Sequence, residues 1–263
     1  MSLRPSQFIR SAFQAFYGIY ALLAFLVLGL LAFVLVTVVP GLGVASRRAI
    51  AHWAARAFFF AAGVRIRIVD ADRLPDGACV VVANHASYLD GVVLKAALPA
   101  RFSFVIKKEV SRVPIAGLLL RRIGSEFVDR FNRHAGGMDA RRLIKAATAG
   151  NALAFFPEGT FLECPGVGKF HTGAFAIAAR SGLAVVPLAI HGTRHILPSG
   201  RILPRFGAIE IRILPTVPAA TNTDAASVAI LRDSARAHIL GALGEPDLAD
   251  KDGVAAIEAG RKS

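Results

Sequence analysis

An uncharged apolar run near the N-terminus constrains the fold of this chain most. Residues 16–39 hold only Phe, Tyr, Ile, Ala, Leu and Val, with two glycines and one threonine. As an α-helix they would be about 36 Å long, enough to cross the hydrocarbon layer of a bilayer. A signal peptide has a shorter apolar core and a small-residue cleavage site, whereas a turn-like Pro-Gly-Leu-Gly follows here. We therefore predict a retained membrane segment.

The flanks of this run bear on its topology. Arg4 and Arg10 precede it, and a more basic stretch follows it (Arg47, Arg48, Arg56, Arg65 and Arg67). The positive-inside rule places that stretch, and the domain that follows it, on the cytoplasmic face of the membrane. Because both flanks are basic, a hairpin that enters one leaflet competes with a spanning helix.

Residues 44–62 mix arginines and His52 with Trp53 and three consecutive phenylalanines. This pattern is typical of an amphipathic helix lying at a membrane interface. Two core-packing helices of a soluble bundle are the alternative for residues 16–62.

Composition agrees with membrane attachment and with an anionic partner. The chain is 54% hydrophobic, 19% charged and carries a net charge of +13. Such a basic surplus favours nucleic acid, an anionic membrane surface or a phosphorylated substrate. The spacing of Cys79 and Cys164 predicts neither a disulfide framework nor a metal site, and it suggests a reducing compartment.

After Gly63 short apolar strands alternate with helices. We predict strands at 64–69, 78–83, 102–106, 126–128, 152–156, 184–190 and 208–214, and helices at 116–122, 138–149, 174–181 and 225–243. This alternation predicts an α/β fold with a mostly parallel central sheet flanked by helices. We divide the chain into N-terminal membrane-associated helices (1–62), an α/β domain (63–243) and an acidic tail (244–263) expected to be poorly ordered.

The run Asn84-His85-Ala86-Ser87-Tyr88-Leu89-Asp90 directly follows the predicted strand 78–83. Ligand sites in open α/β sheets gather at the carboxyl ends of strands. On one continuous helix, His85 and Asp90 would point about 140° apart. They can meet only if His85 lies in the loop and Asp90 in the first helical turn. Ser87 and Asp90 also resemble a capping box, which is a purely structural explanation for both.

Two further blocks follow predicted strands. Glu158, Gly159 and Thr160 come after a buried strand and offer a carboxylate, backbone N–H groups and a hydroxyl to an oxygen-rich ligand. A tight turn would account for the same residues. Residues 124–130 end in Arg130, which would alone be read as a solvated surface charge.

Taken together, these blocks resemble the lysophosphatidic acid (1-acylglycerol-3-phosphate) acyltransferase family of glycerolipid acyltransferases. That family shows Asn-His-x-Ser-x-x-Asp, Gly-x-x-Phe-x-Asp-Arg, Phe-Pro-Glu-Gly-Thr-Arg and Val-Pro blocks. They occur here in the same order, at 84–90, 124–130, 156–161 and 185–190. The resemblance covers about residues 64–218, and the amphipathic start is also similar to the membrane-docking helices of that family.

The resemblance implies acyl transfer from an acyl thioester to the free hydroxyl of 1-acylglycerol-3-phosphate, giving phosphatidic acid. His85 would be the general base and Asp90 would hold its imidazole. No cofactor is expected beyond the thioester co-substrate, of CoA or of acyl carrier protein. The resemblance assigns acceptor binding to the Glu158 block, and we add Asn84 as a substrate-binding candidate.

One residue departs from the family pattern: Phe161 stands where Arg usually follows Glu-Gly-Thr. The acceptor phosphate would then need another cation, for which Lys107, Arg130, Lys169 and His171 are candidates. Lys169 is favoured because it leads into a predicted helix N-terminus, which suits anions.

Other functions remain as alternatives. The acceptor could be another lysophospholipid, or the chain could bind lipid without catalysis. A lipase would need Gly-x-Ser-x-Gly, which the sequence lacks. A nucleic-acid binder would not explain the strand-end blocks, and no zinc spacing or aromatic-basic RNA-binding block is present. We therefore expect a lysophospholipid, an acyl thioester and a membrane as partners, and no nucleic acid.

Overall fold

The structure, a computed structural model, describes residues 5–129, 133–160 and 164–249. It begins with two long helices, α1 (Pro5–Val38) and α2 (Val44–Ala61). They lie antiparallel, since the hydroxyls of Tyr17 and Tyr20 in the first half of α1 donate to the carbonyls of Ala62 and Ala61, each at 2.9 Å. Gly41, with φ +76°, lies in the turn that joins them.

Helix α1 exposes most of its apolar side chains. The most apolar 18-residue stretch of residues 10–38 has a mean hydropathy of 3.0, and 17% of that stretch is buried. By length and composition α1 could cross a membrane, and it is the one helix of the described residues that could. It also touches the rest of the protein at two points along its length. Gly18 lies against Leu203 and Pro204, and Val36 packs with Ile123.

Helix α2 differs from its prediction as an interfacial helix. Ala55, Phe58 and Phe59 are buried against the sheet, while Trp53 and Phe60 stay exposed. Part of its amphipathic pattern therefore reflects packing against protein.

The basic groups of α2 also point towards protein. Arg48 donates to the carbonyls of Ile123, Gly124 and Arg101 at 3.0 Å, while His52 and Arg56 contact carbonyls at the end of the third helix. Most of these carbonyl groups lie at the ends of helices, where they have no partner within the helix and the helix dipole favours cations. The charge pattern of α2 is therefore explained in part by contacts within the protein.

A seven-stranded sheet forms the centre of the molecule, with strand order β1-β8-β7-β2-β5-β3-β4. The neighbouring strands are parallel except β7 and β8, as the sequence predicted. Its strands are β1 (Arg65–Val69), β2 (Val80–Ala83), β3 (Ser103–Lys107), β4 (Glu126–Val128), β5 (Leu153–Phe155), β7 (Val185–His191) and β8 (Ala208–Ile213).

Helices cover both faces of the sheet. One face packs against α1, α2 and α3 (Asp90–Ala97), the other against α5 (Arg133–Thr148), α6 (Gly173–Ser181) and α8 (Ala225–Leu243). Two shorter helices are α4 (Pro114–Arg122) and α7 (Thr193–Ile196). Strand β2 is buried on both faces, as is typical of the middle of a parallel sheet. Val81 faces the first layer of helices and Val82 the second.

A second, two-stranded sheet was not predicted. In it β6 (Val167–Gly168) pairs in parallel with β9 (Asp247–Leu248). Residues 244–249 are therefore ordered, contrary to the expected start of the poorly ordered tail. The physical reason is the burial of Leu248 together with ion pairs of Glu245 and Asp247. Residues 250–263 lie outside the described residues, and the division into domains stays a prediction.

Candidate active site

His85 and Asp90 meet at the carboxyl end of β2, in the manner the spacing required. His85 lies in the loop after β2, and Asp90 is the first residue of α3. His85 Nδ1 lies 2.8 Å from Asp90 Oδ2. The carboxylate is fully buried, while a fifth of the imidazole is exposed. The pair thus combines a shielded charge with a ring that a substrate can reach.

The same carboxylate oxygen also accepts hydrogen bonds from the loop that precedes it. Asp90 Oδ2 also accepts the backbone N–H groups of Ala86 at 2.6 Å and Ser87 at 2.8 Å. The predicted capping box is half formed. Ser87 Oγ accepts from the N–H of Leu89 instead of that of Asp90, and it donates to the carbonyl of Leu197. The N–H of Asp90 donates to the carbonyl of Ser87 at 3.2 Å.

The imidazole is held on two sides. An ionised carboxylate only accepts hydrogen bonds, so the Nδ1 of His85 carries the proton towards Asp90 and Nε2 is left as the basic nitrogen. The ring stacks on Phe156, with centroids 4.3 Å apart and planes 19° from parallel. Sequence reasoning placed Phe156 within a block but gave it no role, because a stacking partner across 71 residues leaves no local pattern.

Glu158 supports His85 from behind. Its Oε1 accepts the backbone N–H of His85 and its Oε2 that of Gly168, both at 2.8 Å. Burial raises the pKa of Glu158 above its usual range, and the two N–H groups partly offset this. The carboxylate joins the loops after β2 and β5 and fixes the backbone at His85.

Asn84 supports His85 from the other side. Its amide nitrogen donates to the carbonyl of Ile190 and its amide oxygen accepts the N–H of Ile190, at 3.1 and 2.8 Å. Asn84 and Glu158 were expected to bind substrate. Their bonds within the protein and their burial favour a positioning role instead.

The other predicted residues lie around this edge or outside the described residues. Lys107 ends β3, Lys169 follows β6, and both are exposed, as are Thr160 and His171. Gly159, with φ +80°, forms the turn after Glu158. Their roles in binding stay predictions. Arg130 and Phe161 lie outside the described residues.

Two apolar grooves flank Trp53 and Ala57 of α2. One, of about 400 Å³, lies between α2 and β1 and includes Phe60 and Ile66. The other, of about 360 Å³, lies between α1 and α2. Both grooves are lined mainly by apolar side chains, which suit aliphatic chains rather than polar ligands, and the second includes the exposed Leu31 and Leu35 of α1.

Comparisons with known proteins find similarity to acyltransferases. The family model described as Acyltransferase matches residues 65–191, which hold the His85, Glu158 and Val-Pro blocks. A chloroplastic 1-acyl-sn-glycerol-3-phosphate acyltransferase of Arabidopsis thaliana is 34% identical over 138 residues, 52% of this chain and 38% of that protein. A lyso-ornithine lipid O-acyltransferase of Pseudomonas aeruginosa is 32% identical, over 52% of this chain and 58% of that protein.

A human 1-acyl-sn-glycerol-3-phosphate acyltransferase beta is 27% identical over 69% of this chain and 66% of that protein. The crystal structure of the 1-acyl-sn-glycerophosphate acyltransferase PlsC from Thermotoga maritima superposes with a TM-score of 0.68. It covers 88% of this chain and 95% of its own, at 20% identity, and thus shares the fold.

The alignments to three plant and algal relatives span 38%, 36% and 49% of the length of those proteins. Within that range, the comparisons confirm the resemblance to the 1-acylglycerol-3-phosphate acyltransferase family that the ordered blocks indicated.

Proposed function

We propose that this chain is a membrane-associated acyltransferase. It moves a fatty acyl group from an acyl thioester to the free hydroxyl of 1-acylglycerol-3-phosphate, giving phosphatidic acid. The observation that carries the proposal is the 2.8 Å contact between His85 Nδ1 and the fully buried Asp90 carboxylate at the carboxyl end of β2. The order of the family blocks around that contact supports it.

The reaction needs one base and one proton path. A glycerol hydroxyl is a weak nucleophile near neutral pH, so Nε2 of His85 removes its proton as the oxygen attacks the thioester carbonyl carbon. The C–O bond forms, the C–S bond breaks, and the thiolate leaves with the proton from the imidazolium. Asp90 stabilises the imidazolium in between. A positioned base of this kind supplies about 10²–10⁴-fold in rate.

Direct attack by the acceptor is favoured over an acyl-enzyme. Ser87 is the serine of the block, but it is fully buried, and its hydroxyl donates to Leu197 and accepts from Leu89. A hydroxyl held in this way is not aimed at a substrate. The lipase alternative therefore finds no support at this site.

The acceptor head group has a second candidate. Phe161 replaces the usual Arg, and one relative carries the name lyso-ornithine lipid O-acyltransferase. An acceptor without a phosphate would need fewer cations at this edge. For a phosphate-bearing acceptor, we propose contacts with Gly159 and Thr160 and with Lys107, Lys169 and Arg130. The thioester donor is CoA or acyl carrier protein.

We propose that α1 and α2 dock the chain to the cytoplasmic face of a membrane as a pair within one leaflet. Helix α1 contacts the protein near Gly18 and again at Val36. A helix held against the domain at two points along its length lies along the surface of the domain, so crossing the bilayer would carry the domain into the lipid. Its exposed apolar face then accounts for the attachment.

Turnover by the purified full-length chain tests the proposal. The chain in detergent micelles is given labelled acyl-CoA, or acyl carrier protein thioester, with a panel of lyso-acceptors, and products are read by lipid mass spectrometry. We expect turnover that His85→Ala lowers by at least about 10²-fold. His238→Ala, at a half-buried histidine of α8 whose ring contacts the carbonyl of Pro215, is the matched control. If His85→Ala keeps its activity, His85 is not the general base. An inactive wild type would favour the non-catalytic alternative.

A further inference from the structure

The segment that carries one of the two N–H donors of Glu158 is itself held by the C-terminal part of the chain. Gly168 N donates to Glu158 Oε2 at 2.8 Å, and the other oxygen holds the backbone of His85. Residues 166–168 therefore contact Glu158, which in turn holds the backbone of His85. The position of this short segment is fixed by its strand pairing and not by a local sequence pattern.

Residues 245–248, here named the C-terminal strap, fasten that segment along its length. Gly166 N donates to Glu245 Oε2 at 2.7 Å, and Val167 N to the carbonyl of Pro246 at 3.0 Å. Leu248 is buried directly on Gly166, where a Cβ atom would lie 2.3 Å from its side chain. A glycine at position 166 therefore lets the strap approach closely.

Arg236 of α8 ties the strap to the supporting segment. Its Nε donates to the carbonyl of Gly168 at 3.0 Å and its Nη2 to that of Val167 at 2.8 Å. Its Nη1 donates to Asp247 Oδ2 at 2.9 Å. The carbonyl of Val167 and the N–H of Gly168 belong to one peptide group. Arg236 binds the carbonyl of that group, and Glu158 accepts its N–H. A planar fork of this kind holds geometry that a point charge cannot.

We propose that Arg236, fixed by Asp247 of the C-terminal strap, is a positioning residue for His85 and acts through Gly168 and Glu158. The inference rests on the proposed function, in which His85 is the base. If Gly168 moves, a buried carboxylate oxygen loses its donor, and such an oxygen seeks another partner or a proton. The backbone N–H of His85 then loses its fixed acceptor. A displacement of about 1 Å at a reacting group costs on the order of 10²-fold in rate.

The test compares two arginines of one helix. Arg236→Ala removes the fork, whereas Arg232→Ala, one turn earlier, removes only an exposed pair with the adjacent Asp233. We expect Arg236→Ala to lower kcat by about 10- to 100-fold with KM for both substrates within about twofold. Arg232→Ala should leave both constants unchanged. Arg236→Lys should recover only part of kcat, because ammonium cannot reproduce the fork.

A double-mutant cycle separates positioning from general stability. In a Glu158→Gln background, the pathway through Glu158 is already broken, so Arg236→Ala should cause little further loss of kcat. Losses that multiply, or an unchanged kcat in Arg236→Ala, overturn the inference. If Arg236→Ala fails to fold, Asp247→Asn, which leaves the arginine in place, is expected to give a smaller loss with the same non-additivity.

The wild type distinguishes this inference from the proposed function. If the wild type is active and Arg236→Ala has the same kcat, the positioning role alone is overturned. A wild type inactive with every acceptor and both donors overturns the proposed function, and the inference with it.

Discussion

The carboxyl edge of the sheet and the N-terminal helix pair depart from an ordinary protein in opposite directions. At the edge, Asn84, Ser87, Asp90 and Glu158 are all buried although they are polar or charged. On α1, large apolar side chains are exposed, with Phe16 at 74%. Buried polar groups and extended exposed apolar faces are the two informative exceptions in a folded protein.

The buried polar groups of the edge and the exposed apolar side chains of α1 find their partners in different places. The polar groups at the edge find partners inside the chain, mostly backbone N–H and carbonyl groups, so the fold itself fixes the site. The apolar face of α1 finds no such cover within the described residues, and the partner that we propose for it is a membrane. The site should therefore survive release from the membrane, and attachment should survive loss of the site.

Asp90→Asn should have the largest effect and should touch only the edge. Asn can still accept the N–H groups of Ala86 and Ser87, but it cannot stabilise an imidazolium with a charge. Its amide nitrogen replaces Oδ1, which has no hydrogen-bond partner among the described residues. We expect kcat to fall by about 10³–10⁴-fold, with sedimentation on vesicles unchanged. Asp233→Asn, at an exposed aspartate, is the control, and a loss below tenfold would contradict the role given to Asp90.

Leu30→Asp should weaken membrane binding and leave catalysis unchanged. Leu30 is exposed on the apolar face of α1, and a charged side chain in the centre of a membrane-embedded helix costs about 3 kcal/mol. We expect binding to anionic vesicles to weaken by about 10²-fold, while turnover of substrate in detergent micelles stays within about twofold. Ile230→Asp, at an exposed isoleucine of α8, should alter neither. Weakened turnover in micelles would mean that the two regions are coupled.

Lys95→Met should give the smallest effect, on stability. Burial lowers the pKa of Lys95 to about 8, and Arg48 adds to the shift. The unfolded chain holds a proton that the fold does not between about pH 8 and 10.5, so the stability of the wild type should rise with pH in that window. The full cost at pH 7 is about 3 kcal/mol, and the contact with Phe104 returns about 1.

The variant should therefore unfold in urea with a free energy about 2 kcal/mol higher at pH 7. That gain should shrink towards pH 10.5, since the neutral amine no longer carries the cost. A gain that is the same at both pH values would mean that packing, and not charge, sets it.

Much of the architecture could be predicted from the sequence, because buried parallel strands are continuous apolar runs. The strand β2 and the meeting of His85 with Asp90 followed from such a run and from helical geometry. The internal bonds of Asn84 and Glu158 could not be predicted, since their partners, Ile190 and Gly168, are chosen by the fold. The C-terminal strap was missed because two-residue strands have no period and its composition resembles that of a solvated tail.

Hydropathy also could not show whether α2 packs against lipid or against protein. From the sequence, Arg48 and Phe58 fit an interfacial helix as well as a helix packed on the domain, and in the structure both pack against the domain. Only the three-dimensional arrangement distinguishes a charge that neutralises a helix end from one that faces a membrane.

The pairing of β1 with β8 has a consequence during synthesis. About 140 residues separate the two strands, and at about 5–20 residues per second the ribosome needs roughly 7–30 s to make them. Throughout that interval β1 has no partner strand, and it directly follows the two helices for which we propose membrane docking. Arg65 and Arg67 lie exposed along it, and charges on an unpaired strand discourage pairing with another chain. The basic edge is thus expected to discourage wrong pairing of the nascent protein before β8 has been made.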